Sequence, residues 1–182
     1  MSEILEFDIA IIGGGMVGTS LANMLAASQP QLRIALIEAQ PFARADEVHY
    51  QSSFDARSTA LSYGTAQIMR ALGIWPQLQQ HITPIAQVHV SDRGHFLGGL
   101  IDAAANNLDA VGYVVENAWL GKVLLGNVLT RESIHCFAPA KVLEIIPQEN
   151  CARLRVQTAA QEFLIDAALA VVADGGDSAV RG

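Results

Sequence analysis

The chain has 182 residues, 51% of them hydrophobic and 16% charged, which is enough apolar content for one substantial core with a small second lobe and too much for a disordered segment. A formal charge of −7 with no basic run excludes a nucleic-acid footprint, so nucleic acid is not an expected partner. The apolar runs at 9–12 and 167–173 fall far below the roughly 18 residues of a membrane span, the start Met1-Ser2-Glu3 is acidic, and Cys136 and Cys151 lack metal or disulfide spacing; the expectation is a cytoplasmic protein with two reduced thiols, compatible with peripheral membrane contact.

Phe7 to Ile12 is an apolar run of strand length, and Met16 to Ala27 repeats apolar residues at helical spacing. Between them stands Gly13-Gly14-Gly15-Met16-Val17-Gly18. In such a turn Gly13 permits the tight reversal, Gly15 leaves room for a pyrophosphate, and Gly18 lets the helix pack closely on the strand. The N–H groups around Met16 and Val17 then face the phosphates with the positive end of the helix dipole behind them. Gln29-Pro30-Gln31 breaks the helix, Leu32 to Ile37 reads as the next strand, and Glu38 follows it 20 positions beyond Gly18. An acid at about that distance accepts hydrogen bonds from the adenosine ribose, and its charge disfavours a 2′-phosphate. Strand, glycines, helix, strand and acid in this order predict a dinucleotide site for FAD or NAD.

From Ala39 through Ser58 the pattern lapses into a polar loop, longer than most connections and of the kind that usually carries function. Ser62-Tyr63-Gly64-Thr65 opens a helix that Gly73 stops, and a short helix is expected around 75–80. Val88 and Val90 alternate with His89 and Ser91 before the turn chemistry of Ser91-Asp92-Arg93-Gly94 and the strand His95-Phe96-Leu97, which predicts a hairpin. That hairpin is a better account of His89, Asp92 and His95 than metal ligation, and no metal site is expected. Tyr113 to Val115 is a short strand, and 119–129 a helix with Leu120, Val123, Leu124 and Val128 on its packing side. Short strands follow at 134–137, 142–146, 154–157 and 163–165, and the continuous apolar run 168–173 suits a strand buried on both faces, ending at Asp174-Gly175. The fold class predicted is α/β, a doubly wound, Rossmann-like nucleotide-binding core with an inserted α+β segment, the ligand lying beyond the carboxyl ends of the parallel strands.

Three blocks resemble the FAD-dependent aromatic hydroxylases, the class A flavoprotein monooxygenases. They are the glycine turn with Glu38, Asp55-x-Arg57-x-x-Ala60-Leu61-Ser62, and Asp174-Gly175-Gly176-Asp177-Ser178-Ala179-Val180-Arg181. Val115-Glu116-Asn117 also fits, with Asn117 where the family commonly has Arg or Gln, and Val88 through His95 is similar to a hairpin of the ubiquinone-biosynthesis branch. The resemblance implies FAD as cofactor, held by Gly13, Gly14, Gly15, Met16, Val17, Gly18, Glu38, Arg57, Asn117, Asp174 and Gly175. It implies NAD(P)H as electron donor, O2 as co-substrate, a polyprenyl phenol as the hydroxylated substrate, and other ubiquinone-pathway proteins as partners. Members of the family are about twice as long, and a second flavin motif, a Gly-Asp pair meeting the ribityl chain, has no counterpart here. The chain therefore reads as an FAD-binding domain over 1–182 that resembles an N-terminal half, with 85–112 part of an inserted substrate-side segment. No catalytic acid or base is assigned, and hydroxylation by the chain alone is expected to be weak or absent.

Two rivals stand beside this reading. An NAD-dependent dehydrogenase domain shares the glycine turn and the acid, though not Arg57 or the Asp-Gly motif. A non-catalytic module docking to ubiquinone-pathway proteins is the other.

Overall fold

The computed structural model describes residues 4–42, 57–91 and 98–176. The chain divides into two compact units, one formed by Met1–Asp55 with Leu124–Gly182 and the other by Ala56–Val123, and residues 85–112 lie within the second.

The first unit is built on β1 (Ile4–Ile12), α1 (Met16–Ser28) and β2 (Ile34–Ile37). Both strands run parallel, as a strand-helix-strand crossover requires. The buried face of α1 is made of Gly18, Thr19, Ala22, Asn23 and Ala26. Their small size lets the helix axis come close to the sheet. Ala22 and Ala26 meet Ile11, Ile34 and Leu36 in one apolar cluster.

In the second unit β3 (Ser58–Ser62) leads into α2 (Tyr63–Ala71), whose first turn is capped by the Ser62 hydroxyl accepting from Thr65 N–H at 3.1 Å. Gly73 stops that helix with φ +72°, and α3 (Trp75–Leu78) runs on as a 3₁₀ turn through His81. β4 (Ile82–Ile85) and β3 flank β7 (Gly112–Glu116) in an antiparallel sheet of three. Pro84 fits there because β4 is an edge strand, which can do without one ladder donor. The Arg70 guanidinium stacks on Trp75, 4.2 Å from the ring centroid, and donates to the Tyr113 hydroxyl at 3.0 Å, tying α2, α3 and β7 together. The expected hairpin is present as β5 (Gln87–Ser91) paired antiparallel with β6 (Gly98–Asp102); its turn and His95-Phe96-Leu97 lie outside the described residues.

α4 (Asn117–Leu129) carries the chain back to the first unit. Leu120, Val123, Leu124 and Val128 are buried along it, as their spacing predicts. β8 (Ile134–Phe137), β9 (Lys141–Pro147), β10 (Ala152–Gln157) and β11 (Glu162–Val172) complete a six-stranded sheet in the order β8-β2-β1-β11-β10-β9. β8, β2, β1 and β11 run parallel, and β10 pairs antiparallel with both β11 and β9. The fold is therefore an α/β, Rossmann-like core with an inserted α+β segment.

Two expectations need correction. Ser58 to Ser62 forms a strand where a loop was expected to end at Ser58 and a helix to open at Ser62 with no strand between them, because pairing with Gly112–Glu116 recruits it. The expected strands at 163–165 and 168–173 are one strand, and its second half is not buried on both faces. β10 accompanies β11 only as far as the Ala152 and Ala167 pair, so beyond it β11 has β1 alone beside it among the described residues. Leu169 is accordingly 54% exposed.

Candidate functional site

The carboxyl ends of β1, β2 and β11 converge on the glycine turn. Gly13 N–H donates to Ile37 O at 2.8 Å, and Ala173 N–H donates to Ile12 O at 2.7 Å, so the turn is held between the strand that leads to Glu38 and the strand that leads to Asp174. Gly13 has φ +109°, and a Cβ on it would lie 2.5 Å from Ala173 O and 2.8 Å from Asp174 Cα. Glycine is required there on both counts. A Cβ on Gly18 would lie 1.9 Å from Gly13 O, which is the close helix-to-strand packing expected of that position. Residues separated by almost the whole chain, Gly13 and Asp174, thus form adjacent walls.

Glu38 is aimed at the turn. Its Oε2 accepts from Gly14 N–H at 2.6 Å and its Oε1 from Gln40 N–H at 2.8 Å. Its backbone is fixed as well, since its N–H donates to Phe137 O at 2.9 Å and its carbonyl accepts from Ala140 N–H at 2.8 Å. Each carboxylate oxygen has a second lone pair, so the group can accept ribose hydroxyls while keeping both backbone bonds. Gly14 owes its identity to this corner: a Cβ there would lie 2.7 Å from Phe42 Cε1 and 2.9 Å from Glu38 Cβ. Phe42 was not singled out in the sequence; the only signal for it is its place just after Pro41 in the long loop.

The N-terminus of α1 suits an anion. Its N-cap is Gly15, which has no side chain to accept from the first-turn N–H groups, and no acidic residue stands in that turn. The Thr19 hydroxyl turns back into the helix, donating to Gly15 O at 2.8 Å, and among the described residues no side chain caps the first turn. Met16 is half-buried and Val17 69% exposed, and each brings a backbone N–H to the first turn of α1. A diphosphate matches this donor set, and an adjacent ribose matches Glu38.

Arg57 and Asn117 come together in the second unit. Ser58 pairs with Glu116 across β3 and β7, which brings the two neighbours side by side, and Asn117 N–H donates to Arg57 O at 2.9 Å. Asn117 is 4% exposed, and its Oδ1 accepts from the Thr59 hydroxyl at 2.5 Å. Asp174 and Gly175 are exposed at the end of β11, Gly175 with φ +91° and open space around it. Asp55, Ser178 and Arg181 lie outside the described residues.

Burial raises the Cys136 thiol to about 11, so it is protonated at neutral pH and is no nucleophile. His89 lies across its hairpin beside Gly98. Among the described residues no group of three or more His, Cys, Asp or Glu is placed to hold a metal ion, and no helix is long and apolar enough to cross a membrane.

Residues 8–182 match the family described as lycopene cyclase protein. The chain belongs to this family. Its matching relatives include hydroxylases of ubiquinone biosynthesis, the branch to whose hairpin Val88 through His95 is similar. Ubiquinone biosynthesis monooxygenase COQ6 of Dictyostelium discoideum is 27% identical over 96% of this chain and 38% of its own length. The protein slr1300 of Synechocystis, of uncharacterized function, is 30% identical over 97% of this chain and 40% of its own. The chain thus spans about 40% of the length of these curated relatives. Among solved structures, the flavin-dependent monooxygenase PieE, in complex with FAD and substrate, superposes with a TM-score of 0.73 at 17% identity, covering 96% of this chain and 31% of that one. At that identity the likeness is one of fold.

Proposed function

We propose that the chain is the FAD-binding portion of an NAD(P)H- and O2-dependent monooxygenase that hydroxylates a polyprenyl phenol in ubiquinone biosynthesis. The observation that carries this reading is the uncapped N-terminus of α1 set beside Glu38, with Asp174 next to Gly13. Bound FAD would supply the redox chemistry, taking a hydride from the nicotinamide donor and activating O2. The chain's own contribution is to hold that cofactor. Backbone N–H groups at Met16 to Gly18 would offset the diphosphate charge and Glu38 would fix the ribose; the resemblance assigns Arg57 and Asn117 to the same cofactor. Relatives named as a ubiquinone biosynthesis monooxygenase and a ubiquinone hydroxylase support the reading of a ubiquinone-pathway hydroxylase. Since the chain spans about 40% of those relatives, hydroxylation by it alone is expected to be weak or absent.

The test is a titration of the purified protein with FAD, ADP and NAD, followed by flavin absorbance and calorimetry. FAD is expected to bind with ADP as competitor. Glu38→Gln should weaken both about tenfold or more, because a charged acceptor becomes a neutral one whose amide donor meets Gly14 N–H. Protein that stays colourless and is protected by NAD but not FAD would favour a dehydrogenase domain instead.

A further inference from the structure

We infer that Phe42 is a positioning residue for the adenosine ribose, acting by holding the Glu38 carboxylate in place against the glycine turn. The inference rests on the FAD reading above. Glu38 turns its own chain, since its Oε1 accepts from Gln40 N–H two residues on at 2.8 Å. Pro41 follows with its fixed φ, and the chain comes back to the turn at Phe42. Residues 39–41 are exposed, whereas Glu38 and Phe42 are half-buried. Phe42 is anchored by packing on the apolar cluster that includes Ile11, Ala22, Ala26, Ile34 and Leu36.

The contact falls at one point. A Cβ on Gly14 would lie 2.7 Å from Phe42 Cε1, 2.9 Å from Glu38 Cβ and 3.1 Å from Glu38 Cγ, so the ring edge and the carboxylate stem crowd together over Gly14 Cα. The 2.6 Å bond to Glu38 Oε2 starts from the N–H of that same residue. An amide-to-carboxylate bond at a half-exposed site competes with water. An apolar ring packed beside it excludes some of that water and removes room in which the stem could rotate. With the stem held, the remaining lone pairs of the carboxylate keep one direction, which recognition of the ribose hydroxyls requires. Without the ring, the bound ligand would have to order the carboxylate itself, at a cost in affinity.

Affinities for ADP and for its 2′,3′-dideoxy analogue, which lacks both ribose hydroxyls, are measured by calorimetry on the purified chain, with the melting temperature alongside. Phe42→Leu keeps the apolar anchor but has no atom where Cε1 meets Gly14, and Phe42→Ala removes both. Each is expected to weaken ADP about fivefold while the analogue stays within about twofold, so the preference for the ribose hydroxyls shrinks. In a Glu38→Gln background Phe42→Leu should leave that preference unaltered, because the group it positions is already gone. An unchanged preference in Phe42→Leu alone would overturn the inference, whether neither affinity moves or both fall together with a lower melting temperature, which marks a structural role. Wild-type protein that binds ADP and the analogue alike would overturn Glu38 as the ribose acceptor, and wild-type protein that binds neither ADP nor FAD would overturn the FAD reading itself. The inference falls with either.

Discussion

The contact that constrains the glycine turn most severely is between Gly18 and the carbonyl of Gly13. A methyl group at 1.9 Å from a backbone oxygen has no flexible side chain to push aside, so helix and strand must separate. Gly18→Ala should therefore cost about 1–3 kcal/mol, read as a lower urea midpoint at unchanged slope. A second residue-scale prediction concerns Arg153 and Asp166, cross-strand partners on β10 and β11 that form two hydrogen bonds of 2.7 Å. The Arg153 hydrogen bond holds the Asp166 carboxyl below its ordinary value of 3.8. A depressed carboxylate adds stability above its unfolded value and loses it as pH falls through the native value. The stability gap between wild type and Asp166→Asn should accordingly be present at pH 7 and close below about pH 4, as urea midpoints across that range would report. Gly13, Gly18 and Glu38 were legible from spacing because the requirement is local and repeats wherever a strand, turn and helix hold a diphosphate. Phe42 and Thr59 were not. Their partners, Gly14 and Asn117, are set by tertiary packing and by β-sheet register, which no local pattern encodes.

Between elements, α1 and α4 are joined by a buried polar pin. Asn23 is fully buried, its Nδ2 donating to Thr19 O at 2.9 Å and to Leu124 O at 3.0 Å, and its Oδ1 accepting from Arg131 Nε at 3.3 Å. Asn23→Ala leaves Leu124 O and the Arg131 guanidinium without these partners, and should cost about 2 kcal/mol in chemical denaturation. The helices themselves were readable because their apolar residues recur at a fixed period. β3 was not readable, since 58–62 takes its strand form only from pairing with β7. The two halves of β11 looked like separate strands for a related reason. Asp166 interrupts the apolar run, yet in the structure it is the residue that bonds Arg153 across the ladder.

For the whole molecule, the order in which the parts meet matters. Parallel pairing of β1 with β11 joins segments far apart in sequence, and such pairings come late because the intervening chain must first be closed. Until β11 docks, the strand, glycine turn and helix near the start of the chain lack the wall that Ala173 and Asp174 supply. A ligand that needs this wall cannot speed the search for it. Added FAD should thus slow unfolding while leaving the refolding rate almost unchanged, a split visible in the two arms of a chevron plot. During synthesis the same geometry would make the proposed nucleotide capture wait for the eleventh strand: a nascent chain still missing it would carry an empty-handed turn, and the cofactor would act afterwards as a latch on the completed sheet.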